Sequence, residues 1–206
     1  MLLARVQKRL REQGPWSVLV RAFVVGRDAI LPPAHLIYWL PLAGYPDSEV
    51  DTRVTLRVVT RENLKALNAE ELAAVEANVG ESSLPVIRER LDHGCELHIL
   101  LYEGRVVGTR FFILGREHSF QHVVLTDRDA MDIDGRIRPE FRGRGLNPVF
   151  FYLNIRHLRK QGLERLYVAC REDNQASVRS FARVGFRFLG KYRNWRGYHI
   201  YEPREL

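Results

Sequence analysis

IRPEFRGRGLNP, residues 137–148, joins a β-rich segment to a helical one. Gly143 and Gly145 allow the backbone to turn sharply and to approach a ligand closely. Asn147, followed directly by a proline, is typical of a helix start, with the asparagine as the cap. The first N–H groups of that helix have no partner within the helix, so they point into the turn. The segment therefore predicts a strand, a tight turn and a helix whose N-terminus is open to a ligand.

Two arginines, Arg142 and Arg144, lie within this turn. Their charge adds to the positive end of the helix dipole, and such a place attracts a phosphate group. The turn lacks the GxxxxGK[ST] pattern of a P-loop and the GxGxxG pattern of dinucleotide-binding folds. It predicts a pyrophosphate site, and from the turn alone a well-capped helix without a ligand remains the alternative.

Strands and helices alternate around the turn, without internal repeats. The predicted strands lie near residues 54–58, 96–102, 105–114, 118–125, 130–137, 166–170, 186–189 and 198–201, and the helical stretches near 64–75, 86–91, 147–162 and 175–184. Glu103-Gly104 separates two of these strands and indicates a hairpin. This order predicts a mixed α+β fold with the strand, glycine turn and helix at its centre.

The composition narrows the class of protein. The chain of 206 residues carries 32 Lys and Arg against 25 Asp and Glu, a net charge of +7, and is 46% hydrophobic. These values exclude a disordered or fibrous chain. Cys95 and Cys170 form no CxxC or Cys/His pattern, so neither a disulfide scaffold nor a metal site is expected. This use of cysteine predicts a protein of the reducing cytoplasm. No nucleic-acid-binding motif accompanies the basic charge, so a nucleic-acid partner is not expected either.

The first fifty residues are predicted to form an extension to a domain of residues 51–206. Residues 1–28 form two short amphipathic helices with six basic and two acidic side chains, and they lack the apolar run of a secretion signal. Prolines interrupt residues 29–46, which excludes a transmembrane span there. The extension packs on its own domain or on a second copy in a homodimer, or residues 1–40 contact an anionic membrane surface; the sequence leaves these alternatives open.

Two segments resemble, in the right order, the two cofactor motifs of the GNAT superfamily of acyl-CoA-dependent N-acetyltransferases. The family's first motif is Arg/Gln-x-x-Gly-x-Gly/Ala after a hydrophobic residue and Pro-Glu, and it is matched by Ile137, Pro139, Glu140, Arg142, Gly143, Arg144, Gly145, Leu146 and Asn147. The second is an Asn-x-x-Ala/Ser helix ending in Gly-Phe, matched by Asn174, Ser177, Gly185 and Phe186. Asn147 departs from the family's usual small residue. The resemblance covers roughly residues 52–206.

The resemblance implies a twisted, mostly antiparallel sheet with splayed central strands and flanking helices. Acetyl-CoA or another acyl-CoA is then the co-substrate, with no metal, and its pantetheine arm lies beside the strand that ends at Ile137. Asn174 and, more weakly, Ser177 contact that arm. The acyl group passes directly to a primary amine in a ternary complex. The basic charge favours an anionic acceptor such as a nucleotide-linked amino sugar, and small metabolites and protein lysines or N-termini are left open.

The acceptor amine must lose a proton to attack the thioester, so a base is expected. Asp132 and Asp134, on the strand before the turn, are the candidates. The alternative is that one of them binds the acceptor's cation or pairs with an arginine. In the family a tyrosine commonly protonates the departing sulfur, and here Phe181 takes its place; the substitutes left open are Tyr152, Tyr167 and Tyr192.

Phe181 and Asn147 also leave a second class of function open. A domain of this kind with little or no turnover would sense acyl-CoA rather than use it. A third alternative is a peripheral membrane protein that binds through its basic N-terminal helices.

Overall fold

A computed structural model shows the fold of residues 33–47, 49–79, 84–115, 119–120, 123–195 and 198–203. The two amphipathic helices predicted for residues 1–28 lie outside these ranges. Within the described ranges, no helix is long and apolar enough to cross a membrane.

Most strands of the chain join one sheet. The strands are β1 (His35–Pro41), β2 (Val54–Val59), β3 (Glu96–Tyr102), β4 (Arg105–Leu114), β5 (Ser119–Phe120), β6 (Val123–Val124), β7 (Asp129–Ile137), β8 (Arg165–Arg171), β9 (Arg187–Trp195) and β10 (Tyr198–Pro203). Eight of them form a sheet in the order β10-β9-β1-β8-β7-β4-β3-β2. Only β7 and β8 are parallel neighbours among these described strands. The predicted α+β fold with a mostly antiparallel sheet is confirmed.

In the described part of the chain, four α-helices cover the two faces of the sheet: α1 (Ala69–Val79), α2 (Leu84–Asp92), α3 (Leu146–Lys160) and α4 (Gln175–Val184). The side chains of Val75 and Ile87 place α1 and α2 in one apolar cluster. Those of Phe151 and Phe181 place α3 and α4 in a second cluster on the opposite face. The pleat of a strand separates these clusters, because successive side chains point to opposite faces.

Local sequence sets the ends of several elements. Asn174 caps α4, with its side-chain oxygen accepting a hydrogen bond from the N–H of Ser177 at 3.2 Å. Glu103 and Gly104 have φ values of 50° and 77°, which suits the predicted two-residue hairpin between β3 and β4. The prediction that a strand near residues 118–125 continues this meander was wrong. It contributes a separate ribbon of β5 and β6, because β7 already occupies the free edge of β4.

The central parallel strands part early. β7 and β8 pair only over Asp129–Asp132 and Arg165–Val168, although β7 continues to Ile137 and β8 to Arg171. This confirms the predicted splay. Backbone N–H and C=O groups on the two facing edges beyond that point have no partner across the gap, and such groups need one.

Strand β1 corrects the prediction for the N-terminal region. Its seven residues lie inside the sheet, antiparallel to β8 on one side and β9 on the other. The sequence predicts an extension here, with packing on the domain itself, packing on a second copy and contact with a membrane left open. Pro41 is the last residue of this strand, so no ladder hydrogen bond is lost in the strand interior.

We expect Ile37→Ala to lower the free energy of unfolding by about 2–5 kcal/mol, because it empties a fully buried position between two strands. Urea unfolding followed by circular dichroism measures the change. The matched control is Val124→Ala, at an exposed apolar position, with an expected effect within about 0.5 kcal/mol. Equal losses in the two variants would contradict the placement of β1 in the sheet.

Candidate functional site

A cleft of about 780 Å³ opens between the end of β7, the turn that follows it, and the first turns of α3 and α4. Of the predicted cofactor residues it is lined by Ile137, Arg142, Gly143, Gly145, Leu146, Asn147, Asn174 and Ser177. Residues far apart in sequence therefore line one cleft. Arg144 is the exception, since its guanidinium lies over the ring of Phe141 at 5.4 Å and the residue does not line the cleft.

The turn before α3 presents open backbone to this cleft. Gly143 and Gly145 have φ values of 77° and 74°, a left-handed conformation that favours glycine. Gly145 is the N-cap and no side chain caps it. The first N–H groups of α3 therefore keep their capacity to bind an anion, aided by the helix dipole. These features fit a diphosphate.

Asn147 is not the helix cap that its sequence context predicted. It lies in the first turn of α3, where its side-chain oxygen accepts a hydrogen bond from Arg110 Nη2 at 2.7 Å and its amide donates to Ser180 Oγ at 2.8 Å. The glycine two residues earlier takes the cap position instead, because its left-handed conformation ends the turn. Asn147 thus ties α3 to both the sheet and α4.

A smaller chamber of about 200 Å³ continues the cleft into the gap between β7 and β8. Asp134, Asn174 and Ser177 line both cavities, so the two are continuous. Cys170 and Phe181 lie on the inner wall. Burial raises the pKa of the Cys170 thiol to about 11, which suits a structural residue rather than a nucleophile.

Comparison with known proteins identifies the family of this chain. The model of the acetyltransferase (GNAT) family matches residues 61–186. The chain belongs to this family. GNAT membership supports acyl transfer from acetyl-CoA in general terms, and it leaves the acceptor unspecified. A comparison with curated proteins finds no match.

Solved structures share the fold at low sequence identity. A GNAT-family acetyltransferase from Colwellia psychrerythraea aligns with a TM-score of 0.56 and 16% identity over 90% of this chain and 61% of its own. A tandem GNAT protein from the clavulanic acid biosynthesis pathway aligns with a TM-score of 0.53 and 15% identity over 89% of this chain and 56% of its own. The chain thus spans little more than half the length of these two proteins, and the likeness concerns the fold.

The two candidate carboxylates of this GNAT domain lie on opposite faces of β7. Regular alternation would place Asp132 and Asp134 on one face, but the pairing with β4 shifts register between the partners of Phe111 and Phe112. Asp132 contacts Arg110, on the side of α3. Asp134 instead contacts Arg90 of α2, at 3.2 Å. A β-bulge therefore separates the two carboxylates.

Asp132 forms a buried ion pair with Arg110. The guanidinium lies 3.8 Å from the ring centre of Phe151 and donates to Asp132. Burial raises the pKa of Asp132 and lowers that of Arg110, while the attraction between the two charges opposes both shifts. A Cβ on Gly135 would lie 2.6 Å from Arg110 Nη1, so the absence of a side chain there admits the guanidinium. Asp132 is thus held in a buried pair with a single arginine.

Asp134 is more accessible and has a different charge environment. Its side chain is 17% exposed and lines both cavities. Arg90 Nη1 and Arg136 Nε contact its two oxygens at 3.2 and 2.9 Å. A carboxylate and two cations are therefore presented together at the point where β7 leaves β8.

Sequence reasoning missed several residues of the cleft. Arg179 on α4 and Arg136 on β7 line it and were not predicted, and Arg183, one turn beyond Arg179, lines it although the sequence suggested it only for the acceptor. The signal for the α4 pair was their i,i+4 spacing in the helix after Asn174. Arg110 carries no local signal, because its partners Asp132 and Asn147 are 22 and 37 residues away.

The three tyrosines left open as substitutes for the family's acid do not line the site. Phe181 is buried and packs against Tyr38, Phe151 and Phe186. Within the described part of the chain, no tyrosine lines the cleft or the chamber. This holds for Tyr152, Tyr167 and Tyr192, the substitutes left open by the sequence.

We expect Arg110→Met to lower the free energy of unfolding by about 3–5 kcal/mol, because Asp132 is then buried without a partner. The double variant Arg110→Met/Asp132→Leu removes both charges and should recover most of that loss. Urea unfolding measures both. Arg105→Met, at an exposed position on the same strand, is the control with little effect. A double variant as unstable as the single one would contradict the ion pair.

Proposed function

We propose that this GNAT domain transfers an acetyl group from acetyl-CoA to the primary amine of an anionic small molecule. The observation that carries the proposal is the cleft itself, in which an uncapped helix N-terminus, two left-handed glycines and the gap between β7 and β8 adjoin. Each of these features suits one part of acyl-CoA. Membership of the family supports acyl-CoA as the donor and transfer of its acyl group to an acceptor, in general terms.

The diphosphate is proposed to bind the N–H groups around Gly143 and Gly145. Arg142, Arg179 and Arg183 line the same part of the cleft and supply the positive charge that phosphates require. The pantetheine arm then runs into the gap, where its amides pair with the free edge of β7 as an added strand would. Asn174 and Ser177 lie beside that path.

The thioester end is proposed to occupy the chamber of about 200 Å³. Its small volume favours an acetyl over a long acyl chain. Arg110 and Asp132 are engaged with each other on the wall, so they hold the shape of the chamber rather than react.

The surroundings of Asp134 suggest the acceptor. Its carboxylate attracts an ammonium group, and the adjoining Arg90 and Arg136 attract a phosphate or carboxylate on the same molecule. A nucleotide-linked amino sugar has both groups, as do many smaller acidic amines. The charge pattern supports the class of acceptor, not one compound.

Proton transfer is assigned to Asp134 in this proposal. The ammonium group of the acceptor gives one proton to the Asp134 carboxylate, which opens to solvent, and the free amine then attacks the thioester carbon. The carbon–sulfur bond breaks, the electron pair leaves on sulfur, and the second proton that the amide nitrogen loses passes to the thiolate or to water. A thiol has an ordinary pKa of about 8.5, so coenzyme A can depart as the thiolate although Phe181 replaces the usual acid. Holding both substrates together supplies much of the rate, an effect that can reach about 7–11 kcal/mol.

A second candidate function rests on the same phenylalanine. Because no tyrosine of the described residues lines the chamber, the domain in this second function binds acyl-CoA and turns it over slowly, as a sensor. The two functions share the cleft and differ in whether an amine releases free thiol.

We expect Gly145→Ala to weaken coenzyme A binding at least about tenfold, which is about 1.4 kcal/mol, because it distorts the turn that presents the N–H groups. The matched control is Gly162→Ala, which carries the same left-handed strain just beyond the other end of α3. Both variants should lose similar stability, about 1–2 kcal/mol. Isothermal titration calorimetry measures affinity, and equal affinities in the two variants would argue against the proposed diphosphate site.

We expect Asp134→Asn to slow thiol release about 100-fold or more with the best amine of a panel, while coenzyme A affinity stays unchanged. Glu140→Gln, close in sequence and outside the cleft lining, is the control and should keep full activity. If Asp134→Asn is as active as the unaltered protein, the proton has another acceptor. If the unaltered protein binds coenzyme A tightly and releases no thiol with any amine, the domain is a sensor.

A further inference from the structure

A second cluster of titratable side chains lies away from the cleft, between β3 and the C-terminal half of α3. Glu96 and His98 are on β3 and are buried, and His157 is on α3 with its side chain 29% exposed. His157 is eleven residues (157 − 146) beyond the start of α3, about 16 Å along the helix at about 1.5 Å per residue. The cluster is thus at the opposite end of α3 from the proposed diphosphate site.

Three ligand atoms of this cluster converge. His98 Nε2 lies 2.8 Å from Glu96 Oε2, and His157 Nε2 lies 3.4 Å from the same oxygen. One ligand atom from each residue falls within 4.8 Å of the others. Ligands about 2.0–2.2 Å from a tetrahedral zinc ion are about 3.3 Å apart, so small side-chain movements suffice to bind one.

The contacts of His98 suit a cation at this point. Its Nδ1 lies 2.8 Å from Asn154 Oδ1, and with the amide in this orientation Nδ1 carries a hydrogen. Asn154 Nδ2 is then buried without a partner in the part of the chain that the structure describes, and exchanging the oxygen and nitrogen of the amide would reverse the roles of both ring nitrogens. In the orientation shown, the neutral ring directs the lone pair of Nε2 at Glu96 Oε2, another acceptor at 2.8 Å, and a second proton on His98 or a metal ion between them would satisfy both.

His157 favours the metal ion over the second proton. Its Nε2 is buried and, among the described residues, has no hydrogen bond of good geometry. A second proton on His98 would leave that nitrogen without a partner, at the usual cost of a buried polar group. A metal ion would bind all three atoms, and the exposed edge of His157 offers it a path from solvent.

Outer contacts hold the ligands in position. Gln161 Nε2 donates to Glu96 Oε1 at 2.7 Å, and Asn154 fixes the ring of His98. Metal sites in proteins commonly have such outer partners, which fix the orientation of each ligand. Both of these residues are on or directly after α3, so the cluster joins this helix to β3.

We propose that Glu96, His98 and His157 bind one divalent transition-metal ion, with zinc the best match to two imidazoles and a carboxylate. The ion ties the C-terminal half of α3 to β3. Its role is structural, since the cluster lies far from the cleft and uses none of the residues proposed for acyl transfer. The inference is therefore independent of the proposed function.

The test uses the full chain purified without a histidine tag and freed of metal by chelation. Titration with Zn²⁺ against a chromophoric chelator should show one tight equivalent, and Co²⁺ should give the visible absorption of a tetrahedral site. His157→Gln should weaken Zn²⁺ binding at least about tenfold. Zn²⁺ should raise the melting temperature of the unaltered protein and not that of His157→Gln.

The control is His93→Gln, which removes an exposed histidine next to α2 and should leave Zn²⁺ affinity unchanged. Circular dichroism and a cooperative urea unfolding transition check that His157→Gln is folded. The absence of a tight equivalent, or equal affinity in the His157 and His93 variants, would overturn the proposal and leave a hydrogen-bonded cluster.

Discussion

The early parting of β7 and β8 is the constraint on which the rest of the site depends. Parallel pairing stops at Asp132 and Val168, and beyond that point each strand has one edge of backbone groups without a strand beside it. Those groups would be costly to bury unpaired, so the gap suits an elongated polar ligand with its own amides. The glycine turn and the N-termini of α3 and α4 surround the same opening. A ligand that enters the gap with one end is therefore bound by helix N–H groups at the other.

The helix that follows the turn is fixed to the sheet by polar contacts along one side. Asn147 bonds Arg110, Asn154 bonds His98, and His157 and Gln161 approach Glu96. Buried polar contacts of this kind add less net stability than apolar packing, but each allows only one relative position of helix and strand. The position of the α3 N-terminus is consequently specified by interactions along its whole length.

Local patterns predicted much of this molecule, and long-range pairings did not. The turn at residues 137–148 and the helix after Asn174 were predictable because their features recur within a few residues. The strand at residues 35–41 was not predicted, because prolines interrupt residues 29–46 and because the partners of this strand lie far along the chain. The separate faces of Asp132 and Asp134 follow from a bulge, which the residues of β7 alone do not reveal. The cluster of Glu96, His98 and His157 was not predicted either, because β3 and α3 are distant in sequence and meet only in the folded chain.

The place of β1 in the sheet has a consequence for how the protein is made. The N–H of Ala34 bonds Glu172, 138 positions later, and β1 also needs β9, near the end of the described chain. During synthesis β1 emerges before β8 and β9, so it can pair with them only after the intervening chain has followed. Because such non-local pairing slows folding, the edges of β1 stay unpaired over that interval, and a chaperone that shields apolar strands would act then.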